Sequence, residues 1–132
     1  MMLSSDDMVQ IQQLYARYNH AIDSGKGDEW AACFTPDGAF TARGTGDPKG
    51  TEQLANFARG FATQMKARHW TNNLVVEGAL GGATGTCYLL LYRVADDRKE
   101  PPSLVTSAIY SDTLAKDAGA WRFSSRTVTP DA

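Results

Sequence analysis

The chain beyond residue 67 sets tight limits on the fold. Four runs there, Arg68 to Glu77, Ala83 to Ala95, Leu104 to Lys116 and Trp121 to Thr129, are rich in β-branched and aromatic residues, the composition of strands on a half-buried pleated surface. Their separators, Gly78 to Gly82, Asp96 to Pro102 and Asp117 to Ala120, are short. Parallel neighbours need a crossover of roughly a dozen residues or more, so these strands must pair as antiparallel hairpins or a meander. Each run exceeds the common strand of about 5–6 residues, and a sheet of such strands has to twist and curl to stay compact.

The first half reads as helices. Ser4-Ser5-Asp6-Asp7 offers cap oxygens and first-turn carboxylates, after which Met8, Ile11, Leu14, Tyr15, Tyr18 and Ile22 recur at helical spacing. Ser24-Gly25-Lys26-Gly27 stops this helix with Asp23 in its last turn. Asp28 is placed to cap a short second helix, Thr35-Pro36-Asp37-Gly38 to make a turn, and Ala39 to Ala42 a short strand. After a glycine-rich loop, Arg43 to Gly50, a third helix begins at Thr51 with Leu54, Phe57, Ala58, Phe61 and Met65 as its apolar stripe. Gly60 inside it costs about 1 kcal/mol relative to alanine, which predicts close packing on a neighbour. The whole is an α+β fold of one domain, residues 1–132: three helices packed on a strongly curved, mostly antiparallel sheet that encloses a pocket.

Composition removes several functions. A net charge of -2 gives no electrostatic reason to bind nucleic acid or an anionic membrane. No run approaches the about 18 apolar residues of a membrane span, and Met1 to Asp7 carries no leader pattern. Cys33 and Cys87, both in apolar surroundings, read as buried reduced thiols, which points to the cytoplasm. There is no Cys-x-x-Cys, phosphate loop, dinucleotide fingerprint or Gly-x-Ser-x-Gly elbow. One histidine, His20, falls opposite the apolar stripe of the first helix and should face water, so a metal site lacks ligands. What remains is proton-transfer chemistry without metal or cofactor.

The other histidine, His69, sits where the helical pattern gives way to strands, beside Trp70, Thr71, Asn72 and Asn73. It reads either as the base of a pocket or as a histidine satisfied by backbone at the rim of the core. Tyr18, Tyr88 and Tyr110 are candidate hydroxyl donors to a substrate oxygen, or core aromatics with a hydroxyl at the edge. Arg126 could hold a carboxylate or carbonyl, or pair with a surface acid. In the strand from Ala83, Cys87, Leu89 and Leu91 alternate with Tyr88, Leu90 and Tyr92, apolar on both faces, which predicts a homodimer through the sheet.

Taken in order, Leu14-Tyr15-Ala16-Arg17-Tyr18 running to Asp23, Trp30 with Cys33-Phe34-Thr35-Pro36-Asp37-Gly38, Arg68-His69-Trp70-Thr71-Asn72-Asn73, Tyr110-Ser111-Asp112, and Gly119-Ala120-Trp121 running to Arg126 resemble the SnoaL-like branch of the nuclear transport factor 2 superfamily. The resemblance implies the cone-shaped fold shared by small dehydratases, polyketide cyclases and steroid isomerases. In the bile-acid dehydratase and dehydrochlorinase types an aspartate ending the first helix pairs with a histidine starting the second strand, and Asp23 and His69 match those positions. Tyr18 matches a pocket tyrosine of the bile-acid dehydratase type, and Arg126 its pocket arginine. The implied activity is a cofactor-independent lyase or isomerase, most simply a dehydratase. Its catalytic residues are His69, Asp23 and Tyr18, and Tyr110, Arg126, Trp70, Asn73 and Tyr88 meet a small hydrophobic or polycyclic carbonyl compound. The alternative is a non-catalytic ligand-binding or scaffold domain, as in the β subunits of ring-hydroxylating dioxygenases.

Overall fold

The structure, a computed structural model, describes residues 2–132, so Met1, the first residue of the stretch without a leader pattern, lies outside the described residues. Helix α1 spans Ser5–Asp23, α2 Gly27–Ala31, β1 Phe34–Thr41, α3 Thr51–Gln64, β2 Ala67–Ala79, β3 Gly82–Arg93, β4 Ser103–Asp117 and β5 Ala120–Pro130. The strands form one curved sheet in the order β1-β5-β4-β3-β2, antiparallel except for the parallel pair β1/β5. The α+β layout and the antiparallel meander are as the sequence predicts.

Helix α1 is fixed at both ends. Ser4 and Asp7 make a reciprocal capping box, each side chain accepting the other's backbone N–H at 3.0 Å. Asp7 also accepts from the Trp121 indole at 3.0 Å, which ties the start of the helix to β5. At the other end Lys26 N–H donates to Ala21 and Gly25 N–H to Ile22, with Gly25 at φ 70°, a Schellman stop. Asp28 does not cap α2. That helix begins one residue earlier at Gly27, whose bare Cα rests against the Ala55 carbonyl of α3, and Asp28 instead pairs with Arg59 at 2.6 Å.

Thr35 to Gly38 is not a turn ahead of a strand; the strand includes it. Phe34 pairs with Phe123 and Ala39 with Ser125, so the four residues between bulge out of the ladder. Pro36 lacks an N–H, and the bulge of an edge strand is where a sheet tolerates it. Between the helices and the inner face of the sheet lies an aromatic core. Trp30 is fully buried and meets Tyr18, Phe34, Phe40 and Phe57 at centroid distances of 5.0–5.6 Å. Gly60 has no packing role: a Cβ built there meets nothing within 4 Å. Among the described residues no helix is long and apolar enough to cross a membrane.

Candidate active site

The Schellman stop leaves Asp23 at the very end of α1, beside the first residues of edge strand β2. Its carboxylate holds that strand by two contacts, Oδ2 accepting from the His69 backbone N–H at 3.0 Å and Oδ1 meeting His69 Nδ1 at 2.5 Å. Both side chains are more than nine-tenths buried. Since a carboxylate only accepts, the neutral imidazole must carry its proton on Nδ1, and Nε2 keeps its lone pair.

His69 stands in the partition between two cavities. One, of about 550 Å³, is a groove between α1 and β2 lined by Asp23, Asn19, Thr71, Asn72 and other polar groups. The other, of about 540 Å³, is the interior of the cone, whose wall includes His69, Tyr18, Tyr110, Phe61, Leu89 and Leu91. Asp23 lines only the groove. With Nδ1 committed to that side, Nε2 is the nitrogen offered to the cone.

Tyr18 and Tyr110 form part of the floor of the cone and are each 1% exposed. Burial pushes the Tyr110 phenol up to about 12, with Arg126 pulling the other way, and pushes Tyr18 well above the ordinary value. Both stay protonated at neutral pH, so each hydroxyl keeps a proton that it can donate. Cys33 and Cys87 are buried, and desolvation raises their thiols to about 11, which keeps both protonated at neutral pH.

Four of the residues expected to meet substrate do not line the cone, though Trp70 and Asn73 line the groove beside Asp23. Arg126 is wholly buried and lines neither cavity. Its guanidinium lies beneath the floor, 3.4 Å from the Tyr110 ring centroid and 4.3 Å from that of Tyr18. The β4/β5 register sets Arg126 opposite Asp112, with Nε 3.0 Å from Oδ1, and Tyr15 donates its hydroxyl to Asp112 Oδ2 at 2.5 Å. Burial leaves the Asp112 carboxyl above its ordinary value although Arg126 and the Tyr15 hydroxyl pull it down; Asp112 is the carboxylate paired with the always-charged guanidinium. Trp70 and Tyr88 alternate with inward His69 and Cys87 and stand on the outer face, 60% and 51% exposed. Asn73 is exposed in a bulge between Asn72 and Val75, at φ 56°, on the rim of the groove. His20 faces solvent, as the helical phase predicts.

Nothing in the local sequence gives Asp112 a role of its own, yet it is two residues from Tyr110 on one strand. That spacing places both on the same face, the one signal that could have found it. Among the described residues no three His, Cys, Asp or Glu side chains are grouped to hold a metal ion.

A family model described as SnoaL-like domain matches residues 4–127. Among solved structures, a substituted form of Rv3472, a function-unknown protein of Mycobacterium tuberculosis, is 32% identical over 95% of this chain and 72% of its own, with a TM-score of 0.86. A Catenulispora acidiphila protein solved in complex with S-DNPA is 27% identical over 97% of this chain and 96% of its own, TM-score 0.84. An NTF2-like protein with a cystatin-like fold from Novosphingobium aromaticivorans shares the fold at 20% identity, TM-score 0.86, over 96% of this chain and 82% of its own. No curated protein matches the chain.

Proposed function

The chain belongs to the SnoaL-like domain family, and on that premise we propose that it is a cofactor-independent lyase or isomerase, most simply a dehydratase, acting on a small cyclic or polyketide-like carbonyl compound. The observation that carries this reading is the two-point hold of Asp23 on His69 at the wall of a cavity lined by aromatic side chains. His69 Nε2 removes a proton from the carbon next to the carbonyl, Asp23 stabilises the imidazolium that forms, and charge develops on the carbonyl oxygen. Tyr18 and Tyr110 lie where a phenol could donate to that oxygen in a poorly hydrated site. In a dehydration the β-hydroxyl leaves with the proton returned by His69, so the elements of water depart and a carbon–carbon double bond forms. The complex of the Catenulispora relative with S-DNPA supports a small-molecule occupant.

Arg126 acts in this reading from behind the floor, its charge favouring negative charge near the Tyr110 and Tyr18 rings. The reading also includes a homodimer in which a second copy covers the outer face, where Trp70, Val75, Tyr88 and Ile109 are 37–60% exposed. The test of mechanism is His69→Ala against a panel of β-hydroxy carbonyl compounds that the wild type turns over. The expected loss is at least ~100-fold in kcat with an unchanged unfolding midpoint. Undiminished turnover in the variant refutes general base catalysis by His69, and a wild type that turns over no member of the panel favours the non-catalytic binding domain.

A further inference from the structure

Around the mouth of the cone the lining changes character. Among the described residues no carboxylate side chain lines the cavity, and Arg43 is the sole arginine or lysine on its wall. Arg43 sits on a tied loop: Thr45 donates both its backbone N–H and its hydroxyl to the Ala42 carbonyl, at 3.2 and 2.7 Å, and Asp47 accepts from Ala42 N–H at 3.2 Å. One guanidinium nitrogen donates to the Ala132 oxygen at 2.8 Å, and a guanidinium has five N–H donors. Facing this loop, α3 presents Asn56, Gly60 and Gln64 to the cavity at four-residue steps. Gly60 therefore leaves a gap in the wall between two carboxamides. Glycine weakens a helix interior, and here no neighbouring atom requires it: the space its side chain would fill belongs to the cavity.

We propose that the mouth of the cone is a subsite for an anionic group carried on a flat apolar body, with Arg43 recognising the anion and Gly60 leaving room for the body. This rests on the reading of the cone as the ligand cavity and adds the substrate class: a ring compound whose reacting carbon reaches His69 while a carboxylate, sulfonate or phosphate stays at the rim. Arg43 is exposed, so its pull on such a group comes less from a low dielectric than from the direction of a charge-assisted pair, while the apolar walls hold the body.

The test uses two dyes of one skeleton, anilinonaphthalene sulfonate and the uncharged N-phenylnaphthylamine, titrated by fluorescence into the full chain. Wild type should bind the sulfonate roughly tenfold more tightly than the neutral dye. Arg43→Gln should abolish that preference while leaving the neutral dye unchanged, and Arg43→Lys should keep most of it. Gly60→Leu should weaken both dyes at least ~tenfold, while Gly60→Ala raises the thermal midpoint, the reverse of what a glycine needed for packing would do. A sulfonate affinity indifferent to Arg43→Gln, a neutral dye that falls equally, or dyes unaffected by Gly60→Leu would each overturn the subsite. Dye binding needs no proton transfer, so it should survive in His69→Ala. Failure here leaves the role of His69 standing, and loss of that role leaves the subsite standing.

Discussion

Replacing Asp23 by asparagine changes one atom and should reverse the tautomer of His69. The wild-type carboxylate accepts twice, from the His69 backbone N–H and from Nδ1. An asparagine has a single oxygen. The backbone N–H can only donate, so that oxygen faces it, and the NH₂ group is left facing Nδ1. Nδ1 must then accept, the ring proton moves to Nε2, and the cone is offered an N–H where it had a lone pair. With geometry preserved and the tautomer wrong, a histidine base is expected to lose between about 10² and 10⁴ in kcat. The assay needs no substrate: ¹⁵N spectra of the imidazole distinguish a protonated from a bare nitrogen. Wild type should show Nδ1 protonated and Nε2 bare, and Asp23→Asn the reverse. The same tautomer in both proteins, or full turnover in the variant, would refute the account of the dyad.

The other expectations concern the frame around the dyad. Asp112→Asn leaves Arg126 charged, buried and without its counter-ion, and should cost about 3–5 kcal/mol in urea unfolding, whereas Asp117→Asn, at a partly exposed pair with Arg122, should cost under ~1 kcal/mol. The carboxyl of Asp7 lies far below its ordinary 3.8, chiefly through the Ser4 backbone N–H, with the Trp121 indole and Ser4 hydroxyl adding to it. Because the folded value is the lower one, its contribution is complete above the ordinary value and is lost as pH falls toward the folded one; Asp7→Asn should flatten that acid limb of a urea-midpoint profile. Ser4→Ala, which removes the cap, should lower stability by about 1 kcal/mol. If the outer face is covered by a second copy, Tyr88→Lys together with Trp70→Lys should shift the mass measured by light scattering from dimer to monomer, and a mass unchanged from wild type would refute that interface.

The elements of this protein are written locally. Period-3.6 stripes, cap oxygens before Met8, and glycines after Asp23 place α1 from the sequence. The four β-runs and their short separators dictate an antiparallel meander whose observed bounds lie within a few residues of those read from the pattern. The facing of Trp70 and Tyr88 was also legible, since neighbours of His69 and Cys87 on a strand must point the other way. These properties follow from interactions among residues a few positions apart. The meeting of Asp23 with His69, 46 residues away, came from family resemblance, because no local period ties a helix end to a strand start.

Tertiary structure alone decided the rest. The parallel pairing of β1 with β5 joins segments far apart in the chain and absorbs Thr35 to Gly38 as a bulge, although that tetrapeptide is good turn chemistry. Arg126 became the buried partner of Asp112 because cross-strand register set them opposite each other, and register is chosen by how whole strands bury their inner faces. Gly60 became part of a cavity wall through what α3 does not touch. Local chemistry specifies which segments become helix or strand; what a side chain faces depends on where distant segments close, and that is settled only when the sheet curls around its core.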